Sequence, residues 1–321
     1  MLDVFFTVDV EVWCDGWTNL NDQFNDSFRK YIYGPTAQGN FGLPYKLKVL
    51  ADHGLIGVFF VETLFAARFG NQPLQEITGL IQDAGQEIQL HLHTEWVDES
   101  NIRLLENVRG KRQHMFQFSQ VEQSALITIG KALLEEALRG DKINCFRAGS
   151  YGFNRDTLIA LAQNGIVYDS SYNATRFGMD SGVAPGTLVL DTLADAGVIE
   201  YPKTVFDDGT RLPRHVQLTA CSFAEIETLL WQALEAGRKS FVISSHNFEL
   251  LNMAKTRPDD VVVKRFHKLC AFLERNRDVF RVGGFNDLYP QLASFQPPML
   301  SSSRFNTGGR MLAQAYRRIY G

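Results

Sequence analysis

The chain alternates apolar runs that are typical of strands with segments of helical periodicity, from its first residues to about position 282. Residues 2–10 form an apolar run interrupted only by Asp3, Thr7 and Asp9, which predicts a first strand covered on both faces. Further strands are predicted over residues 56–61, 87–90, 143–146, 166–168, 198–201, 241–244 and 279–282. Helices are predicted between them, over residues 43–53, 74–84, 119–140, 155–164, 222–237 and 261–275.

Three segments lack a sustained periodicity. Residues 13–42 predict a long lid or binding loop that touches substrate, and residues 172–214 are irregular apart from the one strand already placed there. Residues 296–309 predict a linker before a short amphipathic helix over residues 310–320. Two roles stay open for this last helix: docking on the rest of the protein, which is favoured, or a weak peripheral contact with an anionic membrane surface.

The repeated order of strand then helix predicts parallel strands joined by crossover helices. A β/α barrel fits best, with an open doubly wound sheet as the alternative, although no Gly-x-Gly-x-x-Gly or Walker-type segment marks a nucleotide fold. Polar residues lie at the C-terminal ends of several strands, at the edge where barrel enzymes build their sites. These residues are Asp9, His91, Arg147, Asp169 and His246.

The composition and charge of the chain indicate which kinds of molecule it binds and in which compartment it works. The net charge of -4 and the pI near 6.0 argue against nucleic acid and favour a small polar substrate. The four cysteines form no Cys-x-x-Cys pair, so the sequence predicts neither a disulfide framework nor a thiolate zinc site, and a reducing compartment is expected. Without a signal-like segment or a transmembrane run, the predicted location is the cytoplasm.

His91 and His93 stand one residue apart at a predicted strand end. In an extended segment alternate side chains share a face, so both imidazoles can meet one cation. Two neutral imidazoles suit Zn²⁺, Ni²⁺, Co²⁺ or Fe²⁺ better than Ca²⁺ or Mg²⁺. A lone His-x-His is more often a pair of solvated residues, so the prediction of a metal site depends on the other segments.

Taken together, those segments resemble the polysaccharide deacetylase superfamily, whose members share the NodB-homology domain and include family 4 of the carbohydrate esterases. The resemblance covers about residues 1–288. Five segments carry it in the family's order: residues 7–11 (Thr-Val-Asp-Val-Glu), 87–95, 146–152 (Phe-Arg-Ala-Gly-Ser-Tyr-Gly), 168–171 (Tyr-Asp-Ser-Ser) and 243–246 (Ile-Ser-Ser-His). Each segment alone is weak, whereas the five in order at strand ends are fairly specific.

The resemblance implies a distorted (β/α)7 barrel over residues 1–290, followed by a linker and tail helix over residues 291–321, and metal-assisted hydrolysis of an N-acyl group on a sugar. By the same resemblance, Asp9 is the catalytic base and Arg147 orients its carboxylate through a forked pair of hydrogen bonds. Tyr151, with neighbouring backbone N–H groups, holds the developing oxyanion. Asp169 pairs with and tunes His246, which protonates the departing amine.

The metal ligands depart from the family pattern in two places. Val10 separates Asp9 from the second acid, which is Glu11 rather than an aspartate, so Glu11 is the expected ligand unless the two acids exchange roles. Four residues beyond His91 stands Glu95 instead of a histidine. His93 is therefore the favoured second histidine ligand, with Glu95 as the alternative, and zinc is the favoured metal.

The expected protein is a cytoplasmic, metal-dependent deacetylase or deformylase that acts on a soluble or lipid-linked amino-sugar intermediate of envelope or surface polysaccharide. A hydrolase of a non-sugar linear amide is a related alternative. A degenerate barrel that binds glycan without turnover is the rival from another class. The remaining histidines, at positions 53, 114, 215 and 267, follow no such segment and are assigned no role.

Overall fold

The computed structural model describes residues 1–108, 110–210 and 212–320. The strands are β1 Leu2–Val10, β2 Pro35–Thr36, β3 Gly39–Asn40, β4 Val58–Glu62, β5 Glu87–Leu92, β6 Cys145–Ala148, β7 Tyr168–Asp169, β8 Leu193–Asp195, β9 Val198–Glu200, β10 Val205–Asp207, β11 Arg214–His215, β12 Ser240–His246, β13 Phe280–Val282 and β14 Leu300–Ser301. The α-helices are α1 Leu20–Phe28, α2 Leu43–Asp52, α3 Ala66–Phe69, α4 Gln72–Asp83, α5 Gln120–Ala137, α6 Arg155–Gln163, α7 Phe223–Glu235, α8 Asp260–Arg275 and α9 Arg304–Tyr320.

The main sheet runs in the order β12-β1-β4-β5-β6-β7-β9-β8, and β13 pairs with β1 beside this path. Every neighbouring pair along it is parallel except the last, in which β8 is antiparallel to β9. The sheet curls into a half-barrel. On the outer side of β12, Ser244 forms an isolated parallel bridge with Gln217. The predicted distorted β/α barrel is therefore confirmed.

Strand register brings the predicted polar residues to one end of the half-barrel. Asp9 at the end of β1 lies opposite His246 at the end of β12, and His91 on β5 lies opposite Arg147 on β6. Because side chains alternate along a strand, Phe5, Thr7 and Asp9 share the inner face of β1. The carboxyl ends of the parallel strands thus form a single rim.

An aromatic plug fills the barrel below this rim. Phe5 stacks on Phe285 with ring centroids 4.7 Å apart, and it meets Tyr201 edge to face at 5.3 Å. The guanidinium of Arg147 lies 3.9 Å from the centroid of the Phe60 ring, directly above the plug. The interior is therefore packed rather than open, and polar chemistry is confined to the rim.

Local signals placed most helix starts correctly. Ser119 with Glu122 and Ser222 with Glu225 form reciprocal capping boxes at α5 and α7, and the Asn154 side chain caps α6. Each cap satisfies backbone N–H groups that the first helical turn leaves without partners.

Three segments differ from the prediction. The expected loop over residues 13–42 contains α1 and a π-helical turn, Arg29–Tyr33. The irregular segment over residues 172–214 contributes β8, β10 and the first of the two residues of β11 as well as β9. The expected linker over residues 296–309 is wrong, because β14 pairs with β10 and α9 begins at Arg304.

Helix α9 lies against α7, as the docking alternative predicted. Among the described residues, no helix combines the length and apolar character needed to cross a bilayer.

Candidate active site

Three side chains converge at the rim where β1 and β5 end. Glu11 Oε1 lies 3.1 Å from His91 Nε2 and 2.8 Å from His93 Nε2. One ligand atom from each of the three residues lies within 4.8 Å of the other two, and all three side chains are buried. Burial disfavours charge on Glu11, but the neighbouring His93 holds the pKa of this carboxyl well below its usual range.

The far nitrogen of each imidazole fixes its orientation. His91 Nδ1 donates to the backbone carbonyl of Arg147 at 2.8 Å, which leaves Nε2 facing Glu11. His93 Nδ1 faces Glu95 Oε2 at 3.3 Å, on the side of the ring away from Glu11. Glu95 therefore stands behind His93, and the geometry groups His93, not Glu95, with His91 and Glu11.

Other side chains hold this cluster in place. The indole Nε1 of Trp13 donates to Glu11 Oε2 at 2.7 Å, and the indole meets the His93 ring edge to face. The backbone N–H of His93 donates to Glu62 Oε2 at 2.5 Å. A Cβ at Gly149 would lie 2.8 Å from the His93 ring, so this position requires a glycine for close approach.

Asp9 lies beside the cluster in a separate ion pair. Arg147 Nη1 donates to Asp9 Oδ1 at 2.5 Å, and both side chains are buried. Burial raises the pKa of a carboxyl, but here the guanidinium outweighs that effect and holds the pKa of Asp9 well below its usual range. Asp9 is thus a carboxylate fixed next to, but outside, the group of potential ligands.

The forked pair of hydrogen bonds expected between Arg147 and the carboxylate is wrong. Its Nη1 also donates to Thr7 Oγ1 at 3.0 Å, whereas Nε and Nη2 donate to the carbonyl and hydroxyl oxygens of Ser170, each at 3.1 Å. The guanidinium therefore divides its donors between β1 and the segment after β7. This arrangement positions Asp9 through one strong contact on a fully anchored arginine.

His246 has a carboxylate partner that sequence reasoning missed. Its Nδ1 donates to Glu249 Oε1 at 2.7 Å, three residues further along the chain. Burial alone would lower the pKa of His246, but the carboxylates of Glu11 and Glu249 outweigh it and raise this pKa to about 9. Because Nδ1 is engaged, Nε2 is the nitrogen left for a substrate.

A buried network supports Glu249. Gln217 Nε2 donates to its Oε1, and Ser245 Oγ donates to its Oε2 at 3.1 Å. Lys46 Nζ in turn donates to Ser245 Oγ at 2.7 Å. Burial opposes ionisation of Glu249, yet its hydrogen bond with His246 lowers its pKa, so the pair is charged on both sides.

The predicted pairing of Asp169 with His246 is wrong. Asp169 accepts hydrogen bonds from the backbone N–H and hydroxyl of Ser171, at 3.2 and 2.7 Å. In the β7–β9 register it lies opposite Glu200, whose pKa is raised well above its usual range by burial and by the charge of Asp169. Asp169 is therefore part of a buried carboxyl pair below the rim.

The converging residues line a pocket of about 400 Å³. Its lining comprises Asp9, Glu11, Trp13, His91, His93, Gln113, His114, Ala148, Ser150, Tyr151, Arg176, Phe177, His215, Gln217 and His246. The first of the two long segments thus contributes Trp13, and the second contributes Arg176 and Phe177. Arg147 and Asp169 lie behind this lining.

His114 and His215 belong to the pocket although no sequence signal assigned them a role. Burial lowers the pKa of His215 to about 4, so this imidazole is neutral. His215 Nε2 donates to Gln217 Oε1 at 2.9 Å, which links it to the network around Glu249. His114 precedes a short 3-10 turn and His215 ends the two-residue strand β11, so only the tertiary fold places them here.

Tyr151 lies on the pocket wall in an unusual backbone conformation. Ser150 and Tyr151 have φ angles of 53° and 60°, a left-handed region that non-glycine residues seldom adopt. Such strain is concentrated at functional sites, where the surrounding structure holds it.

The donor set of the Glu11, His91 and His93 cluster fits a divalent transition metal. Two imidazole nitrogens and one carboxylate oxygen form a common catalytic zinc set that leaves a position open for water or substrate. The contacts behind the rings, to the Arg147 carbonyl and to Glu95, are those that orient histidine ligands in metal sites.

Two solved structures are similar to this chain to different degrees. A candidate polysaccharide deacetylase from Mycobacterium smegmatis is 21% identical, with a TM-score of 0.54 over 88% of this chain and 87% of its own. A family 4 carbohydrate esterase from Streptomyces lividans, solved with acetate, is 14% identical, with a TM-score of 0.42 over 84% of this chain and 88% of its own. No protein-family model and no curated protein matches the sequence.

The likeness to the mycobacterial protein shows that this chain has the same fold as that candidate polysaccharide deacetylase. The family resemblance inferred from the five sequence segments is thereby confirmed at the level of the fold.

Proposed function

We propose that the protein is a metal-dependent hydrolase of the polysaccharide deacetylase family that removes an N-acyl group, acetyl or formyl, from a sugar. The observation that carries this proposal is the meeting of Glu11, His91 and His93 in one pocket with Asp9 and His246. Such a site has separate groups for a cation, for a base and for an acid.

Glu11, His91 and His93 would hold the metal, most favourably Zn²⁺, with Ni²⁺, Co²⁺ or Fe²⁺ as alternatives. When bound, the ion polarises the acyl carbonyl and lowers the pKa of the attacking water. The separation of Glu11 from Asp9 supports Glu11 as the ligand and Asp9 as the base, rather than the reverse assignment.

Asp9 accepts the proton of the attacking water. The ion pair with Arg147 keeps its carboxylate charged and fixed, so the base is oriented before substrate arrives. Its low pKa makes Asp9 a weak base, which is sufficient only if the water is itself acidified. A metal ion held by Glu11, His91 and His93 would acidify the water in this way.

His246 donates a proton from Nε2 to the departing amine, and Glu249 keeps the imidazolium charged and oriented. Tyr151, through its backbone N–H and its neighbours, stabilises the developing oxyanion. The overall reaction consumes one water, breaks the amide C–N bond and yields a carboxylic acid and a free amino sugar.

A second groove supports a phosphorylated substrate. It adjoins the pocket, shares Arg176 and His215 with it, and has a volume of about 430 Å³. Its described lining includes Arg176 and Arg214 and no acidic residue. Arginines suit phosphate oxygens, so we infer a nucleotide-linked or lipid-linked amino-sugar precursor of envelope or surface polysaccharide.

We place this reaction in the cytoplasm. All four cysteines are buried and free, which agrees with a reducing compartment. Precursors activated with a diphosphate are also the form of substrate expected before a polymer is assembled.

The test measures metal content and acid release on the same samples. The metal-free protein is loaded with Zn²⁺ or Co²⁺, and acetate release is followed from N-acetylglucosamine and from its uridine diphosphate conjugate. We expect one ion per chain, turnover on the conjugate, and loss of both in His91→Ala, with activity reduced by about 10⁴-fold or more.

Saccharide binding without turnover by the metal-loaded protein would instead support a degenerate glycan-binding barrel. Turnover of linear amides but not of either sugar would support the non-sugar hydrolase.

A further inference from the structure

Helix α9 packs on the protein through its polar side. The side chain of Arg310 is only 2% exposed, and its Nε lies 2.9 Å from Glu225 Oε1 on α7. Its Nη2 lies 2.5 Å from Asp208 Oδ2. This guanidinium is therefore enclosed between two carboxylates, and it fixes the middle of the helix to the barrel.

The same side of α9 makes further polar contacts along its length. Thr307 Oγ1 donates to the Asp208 carbonyl at 2.9 Å, and Gln314 Nε2 donates to the Ala220 carbonyl at 3.1 Å. Arg317 Nε lies 2.6 Å from Asp259 Oδ2. These positions are three or four residues apart, so they form one face of the helix.

The opposite side of α9 is apolar and faces solvent. Phe305, Leu312 and Ile319 are 93%, 75% and 72% exposed. They are spaced by seven residues, close to two helical turns, and so form a single row. Gly308 and Gly309 lie next to this row, where an added Cβ would meet nothing within 4 Å.

This orientation is the reverse of that of an ordinary surface helix, which buries its apolar stripe and exposes its polar side. The buried ion pairs of Arg310 and the partly buried ion pair of Arg317 oppose a simple rotation about the helix axis. We therefore expect a membrane or another molecule to cover this continuous apolar row.

The charges of α9 indicate what covers it. Residues 304–320 contain four arginines and no aspartate or glutamate. Arg310 and Arg317 are neutralised by the inward contacts, whereas Arg304 and Arg318 have no ion pair among the described residues. With Met311 between them at the same seven-residue spacing, Arg304 and Arg318 form a row beside the apolar one.

We propose that this outer face of α9, formed by Phe305, Leu312 and Ile319 with Arg304 and Arg318, binds the surface of an anionic membrane. The apolar row enters the boundary between headgroups and acyl chains, and the two arginines contact lipid phosphates. The helix lies in the plane of the interface and does not cross it.

Charge complementarity favours a membrane over a second copy of the chain. Two copies joined through this face would oppose two helices that both carry unpaired arginines and no acids. An anionic bilayer offers an apolar layer and negative charge together. The attraction is local, because the whole chain has a net charge of -4.

The inward side of α9 stands close to the groove that adjoins the pocket. Ala220, which accepts the hydrogen bond from Gln314, also lines that groove. Membrane binding would therefore bring the Arg176 and Arg214 groove near the lipid surface. The proposal itself rests on α9 alone and does not depend on the chemistry of the pocket.

The test is co-sedimentation of the full chain with vesicles. We expect binding to vesicles of equal parts phosphatidylglycerol and phosphatidylcholine, and much weaker binding to phosphatidylcholine alone. The triple variant Phe305→Ser, Leu312→Ser, Ile319→Ser should lower the affinity by at least about tenfold. Arg304→Gln with Arg318→Gln should lower it on the anionic vesicles and reduce its dependence on salt.

Val121→Ser is the matched control, because Val121 is 80% exposed on α5, away from α9. It should bind vesicles as the parent chain does. Equal sedimentation of the parent chain and the triple variant would overturn the proposal. So would a concentration-dependent dimer, measured by light scattering, that the triple variant abolishes, since the face would then belong to a second copy. Thermal unfolding of each variant establishes folding independently of any hydrolase activity.

Discussion

The two sides of the pocket both pair histidine with glutamate, but in opposite arrangements. On the side of β1 and β5, Glu11 stands in front of the rings and meets the Nε2 atoms of His91 and His93. On the side of β12, Glu249 stands behind His246 and meets its Nδ1, so Nε2 is left to the pocket. A carboxylate in front shares a cation with the rings, whereas a carboxylate behind a single ring raises its proton affinity.

This difference assigns roles that residue type alone does not. Glu95 also lies behind a ring, that of His93, but the same ring meets Glu11 on its other nitrogen. An imidazole held between two carboxylates in this way suits a ligand with a supporting partner. His246, with a single carboxylate behind it, suits a proton donor.

Replacing His246 tests the contrast between the two sides of the pocket, and it is expected to change activity more than the other replacements. If His246 is the proton donor and not a ligand, His246→Ala should bind metal as the parent protein does and lose about 10²- to 10⁴-fold in kcat. Metal analysis and steady-state kinetics on one preparation provide the measurement.

His215→Ala is the matched control, since His215 lines the same pocket but is kept neutral by burial. Its loss of kcat should be much smaller. If His246→Ala loses its metal instead, His246 is a ligand and the contrast between the two sides fails.

Exchanging Glu249 for glutamine tests the carboxylate behind the ring. Burial lowers the pKa of His246, and Glu11 and Glu249 raise it to about 9, so removing one carboxylate must lower it. The imidazolium of His246 then loses its proton at a lower pH. The alkaline limb of the kcat/KM profile should therefore shift to lower pH by about one unit or more. At a pH between the old and new pKa values, kcat/KM should fall by roughly tenfold.

The counterpart is Glu95→Gln. If His93 is a metal ligand, Glu95 orients it, so this variant should weaken metal binding by roughly 10- to 100-fold and leave the alkaline limb in place once metal is saturating. An alkaline limb that moves equally in both variants would remove the distinction between the two carboxylates.

The sequence predicted the rim residues because their signals are local. A strand that ends in a histidine or an aspartate is visible in one dimension, and parallel strands bring such ends together, as the register of Asp9 with His246 shows. Helix caps at Ser119 and Ser222 are equally local, since both partners lie within one turn.

The missed features depend on tertiary contacts or on weak patterns. Glu249 follows His246 in a segment with no strand or helix signal, and only the turn after β12 brings it back to the imidazole. Asp169 was misassigned because the sequence does not show that β9 pairs with β7, which places Glu200 beside it. Helix α1 buries Leu20, Phe24 and Phe28 at four-residue spacing, but its Asn- and Asp-rich remainder obscures that pattern.

The smallest expected effect is that of replacing Trp13, which holds the Glu11 carboxylate in front of the two imidazoles. Trp13 Nε1 donates to Glu11 Oε2 at 2.7 Å, which leaves Oε1 to face the imidazoles. Trp13→Phe keeps an aromatic ring against His93 but removes this donor, so Glu11 gains freedom to turn. A single hydrogen bond contributes about 0.5–1.5 kcal/mol, which corresponds to a roughly 2- to 10-fold weaker metal affinity in a chelator competition.

Trp17→Phe is the control, because Trp17 packs on Trp96 and not on a candidate ligand. Equal affinities for the Trp13→Phe and Trp17→Phe variants would mean that the two imidazoles alone set the position of Glu11.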